Sequence, residues 1–169
     1  MKPKFSDSRY EYRSELPFPH TYKYARPSVT VDNVVFSRLD GKVHVLLVER
    51  GIEPYKGCWA LPGGFVNVIE EGGLAPDSSL EAAARRELKE ETGLELTGLR
   101  QVGAYGSPTR DPRGYTITVA FCGWTQPAEV RGADDARQAR WFALEALPDL
   151  AFDHQDILQD AIDQLNLNP

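Results

Sequence analysis

The chain has 169 residues, 41% of them hydrophobic, enough for one globular domain with a sizeable core. No apolar run approaches the length that spans a bilayer and no apolar stretch follows the charged N-terminus, so a cytoplasmic protein without membrane contact is expected. The formal net charge of -6 speaks against a sequence-independent nucleic-acid binder, which needs a basic stripe; a phosphate ligand would have to meet positive charge concentrated locally.

Residues 1–26 mix charges, aromatics and prolines with no helical or alternating period, and read as an extended arm before a domain over 27–169. From Ser28 the pattern turns β-rich: VTVDNVVFS, the turn pair Asp40-Gly41, then KVHVLLVER, which together predict a hairpin. A loop with Pro54 and Gly57 leads to CWALPGGFV, a short apolar strand running into Gly63 and Gly64, which permit tight backbone geometry. NVIEEGGLAPDS, with adjacent glycines, a proline and three acids, predicts an exposed loop.

Ser79 is placed to cap a helix over LEAAARRELKEET, and Gly93 stands where a C-terminal stop belongs. Next come strand-like LELTGLRQVGAYG, the loop SPTRDPRG rich in proline and arginine, the strand YTITVAFCGWT and a short strand ARWFAL. A last amphipathic helix is predicted from Asp153 to about Leu165, with Ile157, Leu158, Ala161, Ile162 and Leu165 on its apolar face. The element order gives an α+β fold, an αβα sandwich with a mixed β-sheet. Cys58 and Cys122 lack CxxC spacing or nearby histidines and read as ordinary buried residues, as do Trp59, Trp124 and Trp141 in their strand-like contexts. His154 reads as capping or packing near the final helix, with a site role as the lesser alternative.

At about 100° per residue, Leu80, Ala83, Ala84, Glu87, Glu90, Glu91 and Leu94 share roughly one third of the first helix's circumference. An ordinary amphipathic helix would set its acids opposite its alanines; here the face entering the core carries three carboxylates with it. Such a cluster must protonate, pair with cations or bind metal, and oxygen donors suit hard Mg²⁺ or Mn²⁺.

Arg86-Glu87-Leu88-Lys89-Glu90-Glu91-Thr92-Gly93-Leu94, preceded by Trp59-Ala60-Leu61-Pro62-Gly63-Gly64-Phe65-Val66, resembles the signature of the Nudix hydrolases: Gly, five residues, Glu, seven residues, then Arg-Glu-apolar-any-Glu-Glu-any-Gly-apolar. The resemblance implies a Nudix-type sandwich that splits a pyrophosphate bond. It implies metal held at Glu87, Glu90 and Glu91 beside Gly64, Arg86 orienting the carboxylates, and substrate meeting Gly63. One departure stands out. Five residues separate Gly64 from Glu70, but fifteen rather than seven then precede Arg86, and Ser78 holds the place counted backward. The first signature glutamate is therefore replaced, or supplied from the loop by Glu70, Glu71 or Asp77.

RPSVTVDNVVF, VLLVERGIEPYKGCWALPGGFV and GSPTRDPRGYTITVAF together resemble the subgroup that hydrolyses ADP-ribose to AMP and ribose 5-phosphate. The arginines of Thr109-Arg110-Asp111-Pro112-Arg113-Gly114 could grip a diphosphate bidentately, which makes Arg110, Asp111 and Arg113 candidate substrate contacts. Glu70, Glu71, Asp111 and Glu129 are candidates for the general base. The arm, with Phe18, His20, Tyr22 and Tyr24, reads as a cover for the adenine, a bridge to a second subunit or simply a docked tail, and the subgroup implies a homodimer. Alternative substrates are NADH, a nucleotide sugar or an oxidised nucleotide. An ADP-ribose sensor without catalysis is the alternative of another class; the intact carboxylates, and the four residues Asn166 to Pro169 after the last helix, weigh against sensing fused to DNA reading.

Overall fold

The computed structural model describes residues 23–68, 76–132 and 136–167; Phe18, His20, Tyr22, Glu70 and Glu71 lie outside them. Seven strands and two α-helices follow in the order β1 (Ser28–Leu39), β2 (Lys42–Arg50), β3 (Trp59–Ala60), β4 (Gly63–Phe65), α1 (Leu80–Thr92), β5 (Arg100–Tyr105), β6 (Thr116–Trp124), β7 (Ala136–Ala143) and α2 (His154–Gln164), with a 3-10 turn at Leu144–Ala146. The sheet is mixed: β1 runs parallel to β6 from Ser28 to Phe36 and antiparallel to β2 and β4. The hairpin, its Asp40-Gly41 turn in left-handed geometry and both helices lie where the sequence puts them. Strand β5 starts at Arg100, later than the strand-like pattern, and β7 starts at Ala136, earlier than ARWFAL.

Side-chain alternation along the strands builds the two faces. Val31 and Val35 of β1, with Leu46, Val48, Val119 and Phe121, pack against Ala83, Ala84 and Leu88 of α1. Val34 and Phe36, with Val45, Leu47, Ala120 and Cys122, pack against Ile157, Leu158, Ala161 and Ile162 of α2. This is the expected αβα sandwich. Trp124 departs from expectation: it lies at the end of its strand, 38% exposed, stacked on Phe36 and covered by Arg38 at 5.7 Å. Cys58 is only half-buried, and both cysteines are free thiols.

The feature that makes room for a site is a split in the sheet. Strands β1 and β2 pair only over Phe36–Leu39 against Lys42–Val45. Beyond that point β1 turns to β4, with Asp32 opposite Gly63, while β2 turns to β3, with Val48 opposite Ala60. The segment from Trp59 to Phe65 bridges the gap. Asn33, fully buried, stitches it in place: its backbone N–H and its side-chain amide both donate to the Pro62 carbonyl, and the same amide donates to the Ala84 carbonyl on α1 at 2.9 Å. Among the described residues no helix is long and apolar enough to cross a membrane.

Candidate active site

Helix α1 begins where Ser79 accepts the Ala82 N–H at 3.0 Å and ends at left-handed Gly93, whose N–H returns to the Lys89 carbonyl. Its buried stripe runs through Ala83, Ala84, Leu88, Glu91 and Thr92, so Leu88 belongs to it although the helical wheel drawn from the sequence left it out. The stripe turns Glu91 fully inward, leaves Glu87 nearly buried and sets Glu90 at its margin, with side chains 13% and 33% exposed for the latter two.

Arg86 is the hub of this cluster. Its Nη1 donates to Glu87 and to Glu90, each at 2.8 Å; Nε and Nη2 hold Asp77 bidentately at 3.0 and 2.9 Å, and Nη2 also reaches the Phe65 carbonyl. Asp77, one of three loop acids open from the sequence as substitutes for the first signature glutamate, thus sits on the arginine. Its other bond accepts the Asn67 N–H, which closes the base of the lengthened loop. The Arg86 hydrogen bonds hold the Asp77 carboxyl below its ordinary range against the effect of burial.

Gly63 and Gly64 are dictated by close approach. A Cβ on Gly64 would stand 2.6 Å from the Glu87 carboxylate, and one on Gly63 would strike the Val31 carbonyl and Asp32. The Gly63 N–H donates to Glu91 at 2.9 Å. Burial, opposed by that hydrogen bond and reinforced by the charges of Glu87 and Asp32, pushes Glu91 up to about 8. Burial raises Glu87 as well, against the pull of Arg86. Among the described residues no three His, Cys, Asp or Glu side chains converge on a common metal position. The reason is visible: Arg86 draws Glu87 and Glu90 to itself, and Gly63 draws Glu91. The donor chemistry nevertheless fits a hard divalent cation: three oxygen-donor carboxylates, Glu87 and Glu91 largely buried and Glu90 at the margin, gather on one side of the helix.

The cleft opens beside this cluster, in the sheet split. Its floor is Asp32, Leu61, Gly63, Glu91, Arg110 and His154, and its rim includes Ile52, Phe65, Arg113 and Phe152. The two arginines of the 107–114 loop have different fates. Arg110 is buried, and its Nε and Nη2 grip Asp153 at 2.8 and 2.6 Å, with Asp32 3.8 Å away. Arg113 keeps a side chain 40% exposed; Asp111 holds it bidentately, and its guanidinium lies 5.1 Å from the Phe65 ring and 5.8 Å from Phe152. Both carboxylate oxygens of Asp111 are thereby engaged by Arg113. Glu129 is exposed and outside the cleft lining.

Asp32 and Phe152 escaped the sequence reading, and His154 was weighted toward a structural role. Asp32 interrupts an apolar strand, and a charge inside such a strand was the available signal. It is buried and accepts the Thr118 hydroxyl at 2.7 Å. His154 lies on the cleft floor with Nδ1 accepting the Leu61 N–H at 2.9 Å. Phe152, in left-handed backbone geometry, carries Arg50 at 4.9 Å and touches the Tyr55 and His154 rings.

Comparison with known proteins places this geometry. The NUDIX domain model matches residues 27–161. The ADP-ribose pyrophosphatase of Methanocaldococcus jannaschii is 43% identical over 137 residues, covering 81% of this chain and 74% of its own. The ADPR responsive transcriptional repressor NtrR of Acinetobacter baylyi is 40% identical over 164 residues, 94% of this chain but 63% of the repressor. Among solved structures, the NUDIX domain of Shewanella oneidensis NrtR complexed with ADP ribose superposes with a TM-score of 0.77 at 30% identity, over 84% of this chain and 90% of that domain.

Proposed function

Because this chain belongs to the NUDIX family, we propose that it hydrolyses the diphosphate bond of ADP-ribose, releasing AMP and ribose 5-phosphate, with Mg²⁺ as its metal and Mn²⁺ as a substitute. The observation that carries this reading is the adjacency of the buried carboxylates of Glu87 and Glu91 to a cleft whose rim pairs Arg113 with Phe65 and Phe152. A diphosphate between a base and a sugar needs both a polyanion site and an aromatic edge.

Glu87, Glu90 and Glu91 would hold the metal, which when bound neutralises diphosphate charge and makes water a stronger nucleophile at neutral pH. Arg86 fixes the directions of Glu87 and Glu90 through charge-assisted bonds and ties both to Asp77, so that the carboxylates are ordered before substrate arrives. Gly63 fixes Glu91 by its amide. Arg113, aimed by Asp111 and backed by two rings, meets phosphate oxygens from the rim; Arg110 acts from below by holding Asp153 and the floor. The general base is sought at Glu70 or Glu71, since Asp111 is committed to Arg113 and Glu129 stands away from the cleft.

Mg²⁺-dependent AMP release from ADP-ribose by the wild type and by Glu91→Gln tests the reading. A loss on the order of 100-fold or more is expected in the variant, and equal activity overturns it. Running NADH, a nucleotide sugar and an oxidised nucleotide alongside reads out substrate choice. The likeness to an ADPR responsive repressor supports a second reading, ADP-ribose sensing. Tight ADP-ribose binding with no turnover in Mg²⁺ or Mn²⁺ would favour it.

A further inference from the structure

The geometry points to Asp32 and His154 as a paired acceptor and donor for a sugar hydroxyl of the diphosphate substrate, a specificity device on the cleft floor that rests on the ADP-ribose reading above. His154 Nδ1 accepts the Leu61 backbone N–H, so the ring proton must sit on Nε2, and the imidazole cannot take a second proton without losing that bond. Burial, which disfavours the charged ring, lowers its proton affinity in the same sense. Nε2 is therefore a fixed donor. It faces Asp32 Oδ1 at 3.6 Å, too far for a hydrogen bond. Asp32 is itself held in place: Oδ2 accepts the Thr118 hydroxyl at 2.7 Å, and Arg110 stands 3.8 Å behind.

Both side chains line the cleft, and both are more than nine-tenths buried. A donor and an acceptor that face the same cavity without satisfying one another are complementary to a group that accepts and donates at once. A hydroxyl does both; a phosphate oxygen only accepts, and Asp32 would repel it. Asp32 also lies opposite Gly63 in the sheet, and Gly63 holds Glu91, so the hydroxyl site is one residue from the carboxylate cluster. That spacing suits a sugar attached directly to the diphosphate.

The test compares kcat/KM for ADP-ribose with kcat/KM for analogues lacking one 2- or 3-hydroxyl on either sugar, in the wild type, in Asp32→Asn and in His154→Ala. In the wild type one analogue should fall on the order of 100-fold, since a buried pair built for a hydroxyl is left unpaired by its loss. In His154→Ala the same analogue should come within about threefold of ADP-ribose, because the penalty belongs to the pair. A wild type indifferent to every deletion overturns the proposal, and so does a penalty that persists undiminished in both variants. Asp32→Asn preserves the side chain's shape and serves should His154→Ala misfold; the wild-type series alone can also overturn the pair. Failure to cleave ADP-ribose at all would strike the proposed function instead, and the pair is then judged by calorimetric affinities for the same analogues.

Discussion

Two charge clusters flank the split in the sheet, and they are balanced differently. On α1, Asp77, Glu87, Glu90 and Glu91 share the single guanidinium of Arg86 or, for Glu91, a backbone amide. Under the cleft, Asp32, Asp111 and Asp153 face two guanidiniums, Arg110 and Arg113. Burial raises Glu87 and Glu91 while the Arg86 hydrogen bonds lower Asp77, so one guanidinium does not serve the four acids alike. Three acids to two bases leaves Asp111 below its ordinary range, because the Arg113 bonds outweigh its burial. An unbalanced cluster is an invitation to a cation, whereas a balanced one is a scaffold that aims side chains.

The strongest way to break this contrast is to remove the shared base. Arg86→Ala should lower kcat/KM for ADP-ribose on the order of 1000-fold and, by stranding nearly buried Asp77, cost roughly 3 kcal/mol in chemical denaturation. Replacing Arg113 by Ala should raise KM about tenfold and cost about 1 to 3 kcal/mol of stability, since buried Asp111 then keeps only the Arg113 backbone N–H.

The two glycines separate frame from chemistry. Gly63→Ala meets backbone at Val31 and should cost about 2 to 3 kcal/mol of stability. The atoms nearest a Gly64→Ala methyl are those of the Glu87 carboxylate, so the variant should keep most of the fold's stability while displacing a carboxylate that Arg86 pins, with activity down on the order of 100-fold. Thermal melts and ADP-ribose assays on the pair would reveal whether the two effects part in this way.

Glu91 makes the stability depend on pH. Its folded value near 8 lies above the ordinary 4.5, so between those values the folded chain keeps a proton that the unfolded chain releases. Stability of the metal-free protein should therefore fall as pH rises from about 4.5 to about 8 and then level off. Melting curves across that range should flatten in Glu91→Gln, and added Mg²⁺ should stabilise the wild type more at pH 8 than at pH 6. The smallest effect is expected at the surface pair Lys42 and Glu145, 3.0 Å apart and largely exposed, where Lys42→Ala should shift stability by less than about 0.5 kcal/mol.

The α1 cluster was legible in the sequence because its parts are local: a cap at Ser79, a stop at Gly93 and acids three and four residues apart fix one another's positions by helix geometry alone. Leu88 was misjudged because the wheel gives relative angles, and only the packing against Val35, Leu46 and Val48 chooses which angle faces the sheet. Asp77 stayed one of three, since a loop's closure depends on Arg86 and the Asn67 amide rather than on spacing. The floor was illegible for a different reason. Asp32, Thr118 and His154 come from three distant parts of the chain and meet through the parallel pairing of β1 with β6 and the docking of α2. No period in the sequence announces that meeting.

Asn33 has a mechanical consequence. Because one buried amide is bonded to both Pro62 and Ala84, the glycine segment and the helix are coupled as a single link. A ligand that tugs on Glu87 tugs on Gly63 too, so the carboxylates and the backbone that faces them keep their spacing under load, and adjustment to different cargoes is left to the rim.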